Sequence, residues 1–236
     1  MIIDATSLAY IQGVIRTAGL VKIDNIVINP TKIWAVDSDR TVVISHEKDI
    51  PAMSFGAICI NRINIFSDRL EIAKSVDNFS VEVVLGNTSA QEPFARSLIM
   101  KGKGIKIDYR CANPQTIRVP TAFHDHAVYR VKITPEAIAL ILKGQSAMST
   151  DEVTFVGTDD GVSFEMSDIN SDTLAYHFAD DIETIGDNVS TFKHRYPSKT
   201  LHTLFKANTD GYFQITSKGM MKIIVNNLDV YVLARE

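Results

Sequence analysis

From residue 6 to 20 the apolar side chains Leu8, Ile11, Ile15 and Ala18 return at three- and four-residue steps, the period of one helical face, and Gly19 offers a stop. The pattern then changes. Short Val- and Ile-rich runs at 25–29, 33–36 and 41–45, set apart by Asn-Pro and Asp-Ser-Asp turn signals, predict antiparallel strands, with another at 57–60. A second helical stripe follows over 61–75, where Ile63, Phe66, Leu70 and Ala73 share one side and Asn61 is placed to cap the start. Ile65 and Ile72 fall off that side. Strand signals return at 79–85, 96–101 and 105–110, the last two joined by Gly102-Lys103-Gly104.

The stretch 111–127, CANPQTIRVPTAFHDHA, has no helical period and reads as an extended connector. After it the order begins again. Thr134-Pro135-Glu136 combines the N-cap, the first-turn proline and the early acid of a helix start, and Ile138, Ile141 and Leu142 supply its apolar stripe. Runs at 153–157 and 162–166 flank Thr158-Asp159-Asp160-Gly161, a hairpin turn, and 173–178 continues the sheet. Pro197 precedes a short helix over 198–207 with Leu201, Leu204 and Phe205 on one side; strands at 211–217, 221–226 and 230–234 close the chain. Asn61 lies 57 positions after Asp4 and Pro197 lies 63 after Thr134, so the helices have nearly the same spacing in both halves. The architecture is duplicated. The fold class is α+β: two similar domains, 1–110 and 128–236, each with two helices on antiparallel sheets, joined by the connector 111–127.

Composition narrows the function. With 236 residues, 45% of them hydrophobic, the chain can fill two cores. No run is long and apolar enough to span a bilayer, and the acid at position 4 argues against a signal peptide. Cys59 and Cys111, without metal-ligand spacing, suit a reducing cytoplasm and make the three Asn-x-Ser/Thr matches chance. The net charge of −4 argues against a generally basic nucleic-acid binder. Its distribution changes that picture. The helical windows 5–20, 62–75, 136–147 and 198–207 hold seven basic residues against three acidic ones, +4, and the rest of the chain holds seventeen against twenty-five, −8. Lys199, His202 and Lys206 share the face of the last helix opposite its apolar side. A positive helical surface on an acidic protein can meet phosphates without reading bases, although solvated amphipathic helices also carry Lys and Arg.

The succession VYRVKITPEAIALILKGQSAMSTDEVTFVGTDDGVSFEMSDINSDTLAYHF and the tail GYFQITSKGMMKIIVNNLDVYVLARE resemble the DNA polymerase sliding clamps, of the T4-type phage form and the proliferating cell nuclear antigen. The resemblance spans the whole chain and is closest in the second half. It implies a non-enzymatic processivity factor, a homotrimeric ring around duplex DNA, bound without sequence specificity. Its implied partners are a replicative DNA polymerase and a clamp-loader ATPase. Arg16, Arg62, Arg69, Lys143, Lys199, His202 and Lys206 would then face DNA. A partner peptide would enter an apolar pocket drawn from Ile117, Val119, Phe123, Tyr231 and Leu233. No cofactor, metal or membrane is implied. The alternative is a monomeric accessory factor that lies along DNA by charge alone; an uncharacterised α+β enzyme is a third reading.

The chemical-looking strings support no catalysis. His124-Asp125-His126 lacks a distant third ligand, and Asp37-Ser38-Asp39 and Asp159-Asp160 fall at hairpin tips, where Asp bonds nearby backbone. Lys101-Gly102-Lys103-Gly104 lacks the order of a phosphate-cradling loop, and neither GxSxG nor HExxH occurs.

Overall fold

A computed structural model describes residues 1–47, 50, 55–86, 93–118, 125–178, 182–185 and 191–235. The chain forms two compact units, one of residues 1–38 and 43–120, the other of 39–42 and 121–236.

In the first unit α1 (Ala5–Leu20) is followed by β1 (Asn25–Ile28), β2 (Ile33–Val36), β3 (Val42–His46) and β4 (Ile58–Asn61). Then come α2 (Ile63–Lys74) and a sheet of β5 (Ser80–Leu85), β6 (Ala95–Gly102) and β7 (Ile105–Arg110). Strand β1 pairs with β2 on one side, Ile26 opposite Ala35, and with β4 on the other, Ile26 opposite Ile60. With β2 on β3, the antiparallel order is β4-β1-β2-β3.

The second unit contains β8 (Ala127–Lys132), α3 (Pro135–Ala147), β9 (Glu152–Thr158), β10 (Gly161–Ser167), β11 (Thr173–His177), β12 (Ile182–Thr184) and β13 (Phe192–Pro197). Helix α4 (Ser198–Ala207) and strands β14 (Tyr212–Thr216), β15 (Met220–Val225) and β16 (Leu228–Leu233) complete it. Here β9 lies between β10 and β13, and β10 pairs with β11, so the order β13-β9-β10-β11 repeats that of β4-β1-β2-β3. After each second helix comes a three-stranded meander, β5-β6-β7 and β14-β15-β16. The match extends to the starts of the two halves. Strand β8 pairs with β14, and the corresponding segment before α1 bridges β5 at Ile2 and Glu82.

Local chemistry explains the helix ends. Asp4 accepts the Ser7 amide at 2.9 Å and starts α1, and Thr134 accepts that of Ala137 at 3.2 Å and starts α3 with Pro135 in the first turn. Neither α2 nor α4 has a side-chain cap. The expected cap, Asn61, is instead the last residue of β4, and its backbone carbonyl and Oδ1 both accept from the Tyr109 hydroxyl. Arg62 then turns the chain into α2 through a left-handed conformation, φ 56°. A second correction concerns α3. Its buried face is Ala137, Ile141 and Gly144, whereas Leu142 is 48% exposed and Ile138 half-buried. A Cβ at Gly144 would come within 2.6 Å of Met166 Sδ, so the glycine leaves that side chain its room.

The two cores differ in kind. In the first unit Ile and Val from β1, β4 and α1 are fully buried, with Phe66 edge-on to Tyr109 at 4.8 Å. The second is built on Phe155, whose ring lies 5.5–6.4 Å from those of Phe164, Phe178, Tyr196 and Phe213.

Candidate nucleic-acid interface

Helices α1 and α2 pack on one another in the first unit, as do α3 and α4 in the second. Each buries its apolar stripe and leaves the opposite side to solvent. On α4, Leu201, Leu204 and Phe205 are fully buried while Lys199 and Lys206 are exposed. Those lysines stand seven residues apart, about 10 Å along the axis. Arg16 on α1, Arg62 at the entry to α2 and Lys143 on α3 are also exposed. Arg69 is half-buried, its guanidinium 5.9 Å from the centre of the Tyr109 ring, whose face attracts it. His202 is half-buried as well. Burial first, and repulsion from Lys206 second, lower its pKa below the ordinary histidine value, so near pH 7 it adds a polar group to the face and no charge.

Several cations on the sheets are paired. Lys101 meets Glu82 at 2.6 Å, Arg130 meets Glu183 at 3.1 Å, Lys193 meets Glu165 at 3.1 Å and Lys222 meets Asp229 at 3.0 Å. Arg195 and Arg235 both reach Glu152, at 3.5 and 3.3 Å. On the helices, Lys74 is held by Glu71 at 3.3 Å. Among the described residues no acid lies within ion-pair distance of Arg16, Arg62, Lys143, Lys199 or Lys206. Exposed pairs contribute little stability, but they cancel the field of both partners. The unpaired helix cations keep theirs, and a phosphate is a suitable counter-charge.

Between α1 and α2 runs a groove of about 310 Å³. Its walls carry Gln12 and Arg16 from α1, and Asn64, Ser67 and Glu71 from α2. Gln12, Asn64 and Ser67 carry no charge, so the charge pattern does not reveal them; the one signal in the sequence is Gln12 standing one helical turn before Arg16.

No family model and no curated protein matches the sequence. Solved structures do match in three dimensions. A. fulgidus PCNA, solved with the C-terminal region of FEN-1, superposes with a TM-score of 0.62 at 16% identity over 96% of this chain and 95% of that one. PCNA from Thermococcus kodakaraensis gives 0.59 at 14% identity over 100% and 99%, and the proliferating cellular nuclear antigen of Entamoeba histolytica 0.58 at 14% over 95% of each. The chain has the sliding-clamp fold.

On this clamp fold the residues named for a partner-peptide pocket fall into two groups. Ile117, in the first unit, is 9% exposed and packs with Val27, Ala57 and Cys59, so its side chain supports a core and offers little surface to a peptide. Tyr231 and Leu233, in the second, share the face of β16 opposite buried Val230 and Val232, and both are half-buried. Tyr231 lines a recess of about 140 Å³ with Asp125, Met220 and Lys222, whose ammonium is 5.8 Å from the ring centre. Val119 and Phe123 lie outside the described residues, as does His124. Cys59 and Cys111 are free thiols, both pushed up to about 12 by burial, which keeps them protonated and unreactive. Among the described residues no cluster of three or more His, Cys, Asp or Glu side chains gathers, and no helix is long and apolar enough to cross a membrane.

Proposed function

We propose that this chain is a DNA sliding clamp, a non-enzymatic processivity factor that encircles duplex DNA and tethers a replicative polymerase. The observation that carries the reading is the set of exposed cations on the helices and at the entry to α2 that have no acid within ion-pair distance among the described residues. Arg16, Arg62, Lys143, Lys199 and Lys206 are then the phosphate-facing charges, with Arg69 and His202 as weaker contributors. Long, flexible cations that neutralise phosphates without base contacts suit a surface that must slide. Residues 1–110 and 128–236 serve as two clamp domains about the connector 111–127, and three chains complete a six-domain ring.

Open sheet edges support the assembly. Among the described residues strand β7 is paired only through β6, and β11 only through β10. Edges that belong to different units favour head-to-tail association, which closes into a ring when the rotation permits. Charge favours the same pairing, since Lys106 and Arg110 lie on β7 and Asp168 and Asp172 precede β11. The A. fulgidus protein was solved with a peptide region of FEN-1; on this chain a polymerase or clamp-loader peptide docks at the face of Tyr231 and Leu233. The cytoplasm, that of a host if the source is a phage, is the compartment.

Retention on circular and linear DNA tests the reading. A ring stays on nicked circular duplex as salt rises and leaves the linearised form; equal loss from both would instead support a monomer held by charge. The solution mass of the ring is three times 26.2 kDa. Replacing Lys199 and Lys206 together by Ala lowers the slope of log K against log salt by about 1.8. Lys193→Ala, which removes a paired sheet cation, leaves the slope unchanged.

A further inference from the structure

The α1–α2 groove holds polar groups for which the protein has no internal use. Among the described residues no hydrogen bond or ion pair engages the side chains of Gln12, Arg16, Asn64 or Ser67, although Gln12 and Ser67 are half-buried. Their polar atoms stay open to solvent and so can meet a ligand. Here they converge on one cleft over an apolar floor of Ile15, Ile63 and Leu70, each no more than 5% exposed. The acid on the rim, Glu71, is occupied by Lys74 at 3.3 Å. Gly19 leaves one end clear, since a Cβ there would meet nothing within 4 Å.

We infer that this groove is a seat for one backbone phosphate of the duplex, held by the Arg16 guanidinium and by the Gln12 and Asn64 amides with the Ser67 hydroxyl. The inference rests on the clamp reading and adds to it a second kind of contact. A phosphate oxygen only accepts, and each of these four side chains has a hydrogen to donate. Gln, Asn and Ser side chains, like Arg, are ordinary phosphate partners in protein–DNA contacts. The second unit would therefore attract DNA through bare lysines, and the first would fix a phosphate through neutral donors around one arginine. Such contacts carry no base information and can be exchanged between successive phosphates.

Neutral donors and cations are separable by salt. Binding of a fluorescent mixed-sequence duplex is measured by anisotropy from low to moderate KCl, with the intact chain. The double variant Gln12→Ala, Asn64→Ala loses about tenfold in affinity at an unchanged salt slope, because two uncharged hydrogen bonds disappear and no counterion release is altered. Gly19→Leu, which plugs the cleft without touching charge or core, loses affinity in the same way. Arg16→Ala reduces the slope by about 0.9. The seat is overturned if the double variant and Gly19→Leu both bind within twofold of the parent while the Lys199→Ala, Lys206→Ala variant binds less well. Equal loss of the parent chain from nicked circular and linear duplex as salt rises overturns the clamp reading itself, and the seat with it.

Discussion

The two units repeat one strand order yet fill it by different means. The first packs branched aliphatics, with Ile26, Val27, Ile28, Ile58 and Ile60 fully buried, and a single Phe66–Tyr109 edge contact among its described residues. The second surrounds Phe155 with four rings and stacks Phe205 on Phe213 at 5.2 Å. Topology is therefore indifferent to whether a core is aliphatic or aromatic, provided volume and alternation are kept. The helices show the same freedom. Those that open each unit, α1 and α3, are capped by Asp4 and Thr134, while α2 and α4 run on directly from β4 and β13 without a side-chain cap. What both units keep is an exposed helical face with cations that have no acid partner among the described residues, Arg16 and Arg62 in the first and Lys143, Lys199 and Lys206 in the second, which points to a shared requirement at that surface.

Truncating the aromatic hub tests the contrast most severely. Phe155→Ala costs about 4 kcal/mol, the usual range for emptying a buried Phe. Because Phe155 also loses four ring contacts, it costs about 1–2 kcal/mol more than Phe66→Ala, which loses one. Denaturant midpoints, together with hydrogen exchange on β9 and β5, give the two values; equal costs would mean that the ring cluster adds nothing beyond buried area.

Smaller and opposite in sign are two glycine replacements on corresponding helices. A Cβ at Gly13 of α1 meets nothing within 4 Å, so Gly13→Ala stabilises by about 0.5–1 kcal/mol through helix propensity. At Gly144 of α3 the same methyl collides with Met166 Sδ, and Gly144→Ala costs about 1–2 kcal/mol. Thermal melts of the pair should shift in opposite directions. A shared sign would show that the Met166 side chain moves aside freely.

The smallest effect concerns His202, which the first unit lacks. Its pKa is lowered in the fold, chiefly by burial, so on acidification the unfolded chain takes up the proton first. Stability therefore falls as pH drops from about 6.5 to the folded value and levels off below it. Replacing His202 by Gln flattens that part of the stability–pH curve; an unaltered curve would remove His202 as its source.

Much of the fold could be read from residue order. The boundaries of α4, the Thr134-Pro135 start of α3 and the hairpin at Asp159-Asp160 follow from local chemistry and stand where the pattern puts them. Strand β13 was hidden because Lys193, His194 and Arg195 mask its alternation, and β12 because three residues carry no period. Asn61 looked like a cap since its partner, Tyr109, is 48 positions away. For the surface, the helix cations are legible in the sequence but which of them are paired is not, and the uncharged residues of the groove between α1 and α2 leave no charge signal.

Periodicity and turn chemistry act over a few residues, so the chain by itself determined most of the elements, their duplication and the sign of charge on each helix. Which strands neighbour one another, which cations are neutralised and which polar side chains converge unused on a cleft depend on groups that meet only after folding. Hydrogen bonds and short-range ion pairs act over a few ångström in space, and that distance is not written in sequence separation.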